Sequence, residues 1–533
     1  MKRIYYLFLF LSAGLFSCKK FLDTKPSDFV TPDAYYTTAD QLQTGLNGVY
    51  DILGNSNMYG RLAAYDIVAT TDESCPRQTG VPNIARYIYD AGSTEISGFW
   101  QYLYFGIERA NLVLASINKP DMDSTKRNVI KGETLFLRSY FYFLLAENFG
   151  DVPLILQPTS SITNVNIART PVKQVYEQVI ADMTAAETLL KTQTATSLGY
   201  GGKVTKTAVE GMLARVCITM AGYPLKDATK YNDALQWASK VVSSGEHALN
   251  SDYKQIFINL AQDKYDVKES MWEVEFYGNA TGVYNETGQA LGNLIGILCS
   301  DLNTGSSAGW TLISRKLFDA YVLDPASTTT PKASLDTRRD WNCANYSWGT
   351  GTTAVKTAIT EPWLMYAGKF RREYETVTPK NKNFNGMNFP VLRYADVLLM
   401  QAEAENQVNG PTTVAYNAIN MVRRRAYGKP VNTPDVTADL ASGLSKDQFQ
   451  AAIRDERMRE FCFEGLRKMD LIRWGNFYND MQDFAIYANA NGASGKATYA
   501  ISAAQTVAPR NVLLPIPTHE MSLNNMLVQN PGW

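Results

Sequence analysis

The stretch 134–145, Thr-Leu-Phe-Leu-Arg-Ser-Tyr-Phe-Tyr-Phe-Leu-Leu, is apolar almost all the way round a helical wheel. A helix with one apolar stripe lies on a surface, whereas one that is apolar on every side must be covered on several sides. The helix it predicts, 125–149, therefore has to stand inside a body of other helices. Gly150-Asp151-Val152-Pro153 stops it, because proline biases Val152 away from the helical region.

The sequence supplies helices to surround it. Leu42, Leu46, Val49 and Leu53 repeat at helical spacing over 38–53, and Trp100, Leu103, Ile107, Ala110 and Leu114 do so over 98–118. Further helices are predicted over 171–191, 207–222, 230–244, 393–409, 412–426 and 445–474. Thr207-Ala-Val-Glu210 reads as a capping box that starts the second of these six helices at 207. Trp100, Trp237 and Trp474 fall on helical stripes and are expected in the core. The recurrence of helix pairs suggests a tetratricopeptide-like solenoid, although no 34-residue period is visible. The fold class that follows is mainly α, with tetratricopeptide-like helix pairs in an α-α superhelix supporting an irregular, loop-rich face with a few short strands.

Two regions break every period. Over 59–96, Thr70-Thr71-Asp72-Glu73, Pro76, Gly80, Pro82 and Gly92 predict a long loop, functional or disordered. From 254 to 390 short strand-like pieces such as 270–276 alternate with Gly, Asn, Ser and Thr, and 277–307 and 324–363 read as loops. The tail from Arg510 cannot be helical across Pro515 and Pro517.

At the other end, Lys2 and Arg3 precede an apolar run over 4–16 and then Ser17-Cys18. That run is too short for a membrane span of about 20 residues, and the pattern reads as a lipoprotein export signal. The expected organisation is a signal peptide over 1–17, a lipid anchor and tether over 18–35 with Cys18 as the acylated residue, and a single body over 36–533. Within the body, a helical part (36–253), a loop-rich part (254–390) and a second helical part (391–533) follow one another. Several acyl chains make a durable anchor where one does not.

The net charge of −1 becomes −3 once Lys2 and Arg3 leave with the signal, so nothing draws the body to nucleic acid or anionic lipid. Beyond Cys18 the cysteines are Cys75, Cys217, Cys299, Cys343 and Cys462, an odd number at wide spacings that implies neither a disulfide framework nor a CxxC metal site. With only His247 and His519, a multi-histidine metal centre is impossible without other ligands. No metal or cofactor is expected.

Motif by motif, enzyme chemistry gains little. Gly199-Tyr-Gly-Gly-Lys203 fails as a phosphate loop, with Ser197 in place of the first glycine and Val204 in place of the hydroxyl residue, and reads as a turn. Asp121-x-Asp123-x-Thr125 fails as a calcium loop because Lys126 replaces the glycine and Gly132 the terminal glutamate. Glu456, Glu460 and Glu464 share a helical face and could be cast as acid and base. Glu464, Arg467, Asp470 and Arg473, however, alternate in sign every three residues, the spacing at which helical side chains pair, which favours a structural ion ladder. The remaining signal is aromatic: Tyr284, Trp310, Trp341, Tyr346, Trp348 and Trp363 lie where no helical face needs filling. Exposed rings offer flat faces to a sugar, and Arg338, Asn342 and Asn345 could bind its hydroxyls.

Several segments in order resemble one family. They are Cys18-Lys-Lys-Phe-Leu-Asp-Thr-Lys-Pro, WxxLYxxIxxAN from Trp100 to Asn111, GExxFLRxYxYFxLxxxFGDVP from Gly132 to Pro153, and Arg393-Tyr-Ala-Asp-Val-Leu-Leu-Met with Ala402-Glu-Ala-Glu. Asn420-Met-Val-Arg-Arg-Arg-Ala, Glu456-Arg457 through Arg473-Trp-Gly, Pro515-Ile-Pro and Gln529-Asn-Pro-Gly-Trp533 follow. In this set the chain resembles the starch-utilisation D-type, or RagB/SusD, surface lipoproteins of Bacteroidetes. The resemblance implies a non-catalytic, cell-surface-facing outer-membrane lipoprotein that captures glycans and passes them to a TonB-dependent (SusC-like) transporter. A peptide-binding importer component of the same fold, and a glycoside hydrolase, are the alternatives. The family's ligand residues form no motif to match, so only the loop regions carry over, and Arg77, Tyr284, Trp341 and Trp348 are the expected ligand contacts. Lys19-Lys20 stands where an acidic pair often favours display on the outer face, so surface exposure rests on the resemblance.

Overall fold

Several helix starts in this chain are fixed by side chains that satisfy otherwise orphaned backbone N–H groups. In a computed structural model, which describes residues 35–77, 80, 82–160, 165–281, 288–349 and 355–533, Thr38 caps α1 (Ala39–Gly54) and Gln41 returns the bond to Thr38. Ser445 and Gln448 do the same for α10. Between them run α2 (Thr94–Ser116), α3 (Ser124–Phe149), α4 (Val172–Leu189), α5 (Lys206–Ala221), α6 (Lys230–Ser244), α7 (Tyr253–Ala261), α8 (Tyr394–Asn409) and α9 (Thr413–Ala426). After α10 (Lys446–Phe461) come α11 (Arg467–Arg473), α12 (Phe477–Ala490) and α13 (Thr498–Thr506).

α3 meets the expectation set by its composition. Every residue from Gly132 to Ala146 is buried, with α2 packed on one side and α4 on another. The one cation in that run, Arg138, is neutralised by Asp182 of α4 at 2.7 Å and bonded to Asn111 of α2 at 2.9 Å. Its one acid, Glu133, accepts from Tyr50 at 2.7 Å and lies 3.7 Å from Lys203, so the helix stays inside without an unpaired charge. Pairing of neighbours continues with α5 on α6 and α8 on α9, while α6 also packs on α8 and α5 on α4. The result is a mainly α fold of tetratricopeptide-like helix pairs, with eight short strands among the described residues.

Those strands form a four-stranded sheet in the order β1 (Ser74–Pro76), β3 (Thr311–Ile313), β7 (Tyr366–Ala367), β4 (Cys343–Ala344) and two hairpin-like pairs. β2 (Ser270–Val274) runs antiparallel to β8 (Phe389–Arg393), and β5 (Tyr346–Trp348) to β6 (Lys356–Ala358). A main core threads all the helix pairs. A second, smaller core joins Phe477, Phe484 and Ala500 of the last helices to Leu312, Ala344 and Tyr366 of the sheet.

Four expectations need correcting. The helix over 445–474 is two helices: Phe463 and Gly465 adopt φ of +67° and +78°, turning the chain so that the Phe463 N–H reaches Glu73 Oε1 at 2.9 Å. α5 starts at Lys206 because Thr205, not Thr207, is its cap, accepting from Ala208 N at 3.1 Å; Thr207 is buried and bonded to His247 Nε2, and Glu210 lies 3.5 Å from Lys206. The segment 59–96 is no free loop: it contains a π-turn (Leu62–Asp66), β1 and a 3-10 turn (Asn83–Arg86), and Thr70 to Cys75 are buried. Finally, Trp100 is core at 3% exposed, whereas Trp237 and Trp474 are only partly covered, Trp237 beneath Lys240.

Candidate ligand-binding face

The acidic helix α10 presents no carboxylate to solvent from the face suspected of chemistry. Glu456, Glu460 and Glu464 are all buried. Glu460 meets Arg338 at 2.8 Å, Arg393 at 2.9 Å and Arg425 at 2.7 Å. Glu456 meets Arg338, Arg423 and Arg459, and Glu464 meets Lys369 and Arg393. Burial alone raises a carboxyl's pKa, but Arg425, Arg393 and Arg338 together bring Glu460 down to about 2. These acids hold the segment that turns between α10 and α11. Of the ladder expected along 464–473, only Asp470–Arg473 forms at three-residue spacing; Arg467 reaches instead to Asp72, and Arg473 to Glu403. Arg338 and Asn342, expected as loop donors to a ligand, belong to the same interior: Arg338 pairs with Asp336 as well, and Asn342 donates to Tyr321.

The aromatic loops do come to the surface, in part. On β5, Tyr346 and Trp348 are two residues apart and so share a face of the strand; their rings meet edge to face at 5.7 Å. Lys356, paired with Trp348 across the β5–β6 hairpin, sits 4.3 Å from the Tyr346 ring and 4.8 Å from that of Trp348. Tyr346 donates to Glu373 at 3.1 Å and accepts from Arg371 Nη1. Both rings are half-buried, with Lys356 resting over them.

Trp341 is placed differently from the exposed ring expected of it. It is 4% exposed, capped by the Arg371 guanidinium 3.9 Å from its ring, and packed beside Tyr374. It supports the Tyr346 and Trp348 rings from behind through Arg371 and offers no platform of its own. Trp363 is likewise interior, donating to Asn491 O at 2.9 Å.

Arg77 and Trp348 are brought to the same loop. Arg77 Nη2 donates to Ala308 O at 3.0 Å, and the Trp348 N–H to Leu298 O at 3.0 Å. Gly309, at φ +54°, lets the two ends of that loop close, since a Cβ there would lie 3.0 Å from Leu298 N. Tyr284 and Cys18 lie outside the described residues.

Beside this loop opens a cleft of about 1000 Å³. Its walls come from the end of α1, one side of α2, the turn 202–203, the chain leaving β2, and Trp310. Trp310 lines the cleft, and its carbonyl accepts from Arg77 N at 2.8 Å. Arg61 lies over the Trp310 ring at 5.6 Å, its Nε held by buried Asp66 at 2.9 Å. Burial pushes Asp66 up to about 6 in spite of Arg61, and pushes Glu273, on the cleft wall, up to about 7. The expected turn at 199–203 is present, with Gly199 at φ +74°. Gly202 is where the Glu275 carboxyl packs, 2.0 Å from where a Cβ would stand. The cleft carries tyrosine, tryptophan, amide and mixed charged groups, a lining suited to a neutral, hydroxyl-rich ligand. Sequence reasoning missed it because its walls come from seven separate stretches of chain with no shared motif, 288–294 and 383–384 among them. No cluster of three or more His, Cys, Asp or Glu side chains able to hold a metal occurs among the described residues, and Asp123 of the discarded calcium loop caps α3.

Two family models match the chain: "SusD family" over residues 268–533 and "Starch-binding associating with outer membrane" over 20–218. Among relatives, SusD-like protein P25 of Formosa agariphila is 25% identical, with 98% of this chain and 97% of that protein aligned. Starch-binding protein SusD of Bacteroides thetaiotaomicron is 21% identical, again over 98% and 97%. The crystal structure of a SusD homolog from Bacteroides thetaiotaomicron superposes with a TM-score of 0.84 at 29% identity, covering 96% of this chain and all of that one. With helix pairs, loop face and both family models in the same order along the sequence, the chain belongs to the SusD family.

Proposed function

We propose that this protein is a non-catalytic glycan-capture lipoprotein, tethered through Cys18 to the outer membrane and facing outward, that hands oligosaccharides to a TonB-dependent transporter. The observation that carries the glycan reading is the cleft of about 1000 Å³ lined by Tyr50, Tyr102 and Trp310 beside amide and charged groups. Half-buried Trp348, whose N–H donates to Leu298 O, stands against the loop that leads to Trp310. Flat rings beside amide and charged donors are the means by which a protein holds a sugar by its faces and hydroxyls. The names of a matched family model and of one relative, both starch-binding, support the same class of ligand. A binding-only role is supported by the engagement of Glu456, Glu460 and Glu464 with arginine and lysine partners. Weak single contacts suffice in such a role, since tethering near a transporter raises the effective concentration of captured ligand.

The reading is tested by screening the purified protein against plant, fungal and host glycans and against mixed peptides. Retention by one class of glycan with no release of reducing ends supports it. Binding of peptides alone, or steady release of reducing ends, would replace it with the importer or hydrolase alternative.

A further inference from the structure

A second pocket, of about 340 Å³, lies among the helix pairs rather than on the loop face. It opens between the turn after α5, the start of α6, α8, α10 and the end of α11. Its charged wall residues are Lys226, Arg454 and Arg473, and no aspartate or glutamate lines it. The large cleft, by contrast, carries Asp51, Glu273 and Glu275 against Arg61, Arg109 and Lys203.

The three cations are not equivalent. Arg473 is already neutralised from behind, by both oxygens of Glu403 at 2.6 and 2.7 Å and by Asp470. Glu403 Oε1 further accepts from Trp474 Nε1 and Gln450 Nε2, so that carboxylate is fully engaged. Arg454 has no carboxylate bonded to it in this way, although Asp480 is near enough to feel its charge. Its guanidinium lies 4.8 Å from the Trp474 ring, its buried Nε has no hydrogen-bond partner, and it forms no ion pair among the described residues. Exposed Lys226 is likewise unpaired there, its Nζ resting 5.5 Å over Tyr223. Stacking on Trp474 fixes the plane of the Arg454 fork, and a fixed fork with unused donors matches the paired oxygens of a carboxylate or sulfate. Tyr231 and Gln407 on the same wall add neutral polar groups, and the volume lies within the roughly 300–1,000 Å³ usual for small-molecule sites.

We propose that this pocket binds a small oxyanion-bearing ligand, the carboxylate or sulfate group of an acidic sugar or a free anion of the same chemistry, with Arg454 as its principal contact and Lys226 at its mouth. The site is separate from the loop face and independent of the glycan reading given for it.

The test is calorimetric titration of the purified full chain in detergent, at constant ionic strength, with sodium glucuronate, sodium sulfate and glucose. Saturable binding of glucuronate, sulfate or both, with none of glucose, is expected, the two anions separating a sugar carboxylate from a free sulfate-like ligand. Arg454→Met keeps the stem over Trp474 and is expected to weaken binding at least tenfold with an unchanged unfolding midpoint. Should that variant misfold, Lys226→Ala, at an exposed position, is expected to weaken it several-fold. Failure of both anions to saturate by about 10 mM, tenfold above a 1 mM Kd, overturns the proposal. So does equal binding of glucose, or undiminished anion binding by a folded Arg454→Met or Lys226→Ala protein.

Discussion

Replacing Glu460 by glutamine removes one negative charge from the most heavily charged part of the interior. Glu460 is fully buried and touches three guanidinium groups. Arg338 would keep Asp336 and Glu456, and Arg393 would keep Glu269 and Glu464. Arg425 would keep only Glu269, 3.7 Å away, with its Nε and Nη1 already lacking hydrogen-bond partners. Breaking a buried pair by removing one member costs about 3–5 kcal/mol, because the partner charge stays behind uncompensated. Proton linkage gives a similar figure. A carboxyl held at about 2 instead of 4.5 contributes roughly 3 kcal/mol at neutral pH, at about 1.36 kcal/mol per unit. The folded-state value is depressed, so this contribution is present above the unfolded value and lost as pH falls from about 5 through 2. Urea unfolding of Glu460→Gln at pH 7 is therefore expected to show a loss of about 3–5 kcal/mol with an unchanged m-value, and the gap to the wild type is expected to narrow steadily below pH 5. A variant within about 0.5 kcal/mol of the wild type at pH 7 would refute the claim that this cluster fixes the α10–α11 turn.

Burial pushes Glu73 up to about 8 from 4.5, so it is protonated when folded; its contribution is complete below about 4.5 and lost as pH rises through 8. Glu73→Gln is expected to leave stability at pH 4 almost unchanged and to raise it by up to about 5 kcal/mol at pH 9, measured by thermal unfolding. Trp341→Ala is expected to destabilise the protein by about 3–5 kcal/mol in denaturant unfolding, as an interior truncation, and a variant of wild-type stability would return Trp341 to the ligand face. Cys18→Ser is expected to move a folded, binding-competent body into the soluble fraction of cells, and continued membrane retention would contradict anchoring through that residue.

The helical half of the fold was legible because its burial is written in period. α3 with its apolar circumference, α6 over Lys230–Ser244 and α9 ending at Ala426 lie within a residue or two of where spacing placed them. The segment 59–96 was illegible for the opposite reason: it is buried through charge and hydrogen bonds, with Asp72 held by Arg467 and Lys316 and Glu73 by the Phe463 N–H, and such burial leaves no apolar rhythm. The second core was missed because α13 is held by alanines, Ala500, Ala503 and Ala504, whose packing depends on large partners elsewhere. On the candidate face, composition pointed to the aromatic loops but could not separate Trp348, half-buried, from Trp341, closed over by Arg371. That difference is made by a residue 30 positions away. The cleft itself depends on seven distant stretches, Trp310 among them, and only the folded chain assembles them.

The central claim is that the ring-bearing loops and the cleft beside them hold a glycan. Its most direct test is calorimetric titration of the best glycan from a binding screen into wild-type protein, Trp348→Ala and Trp310→Ala. Each ring is expected to contribute about 1–2 kcal/mol, a roughly 5–30-fold rise in Kd, with unchanged thermal unfolding for Trp348→Ala. Wild-type affinity in both variants, with the protein folded, would contradict the account and move the ligand to another face.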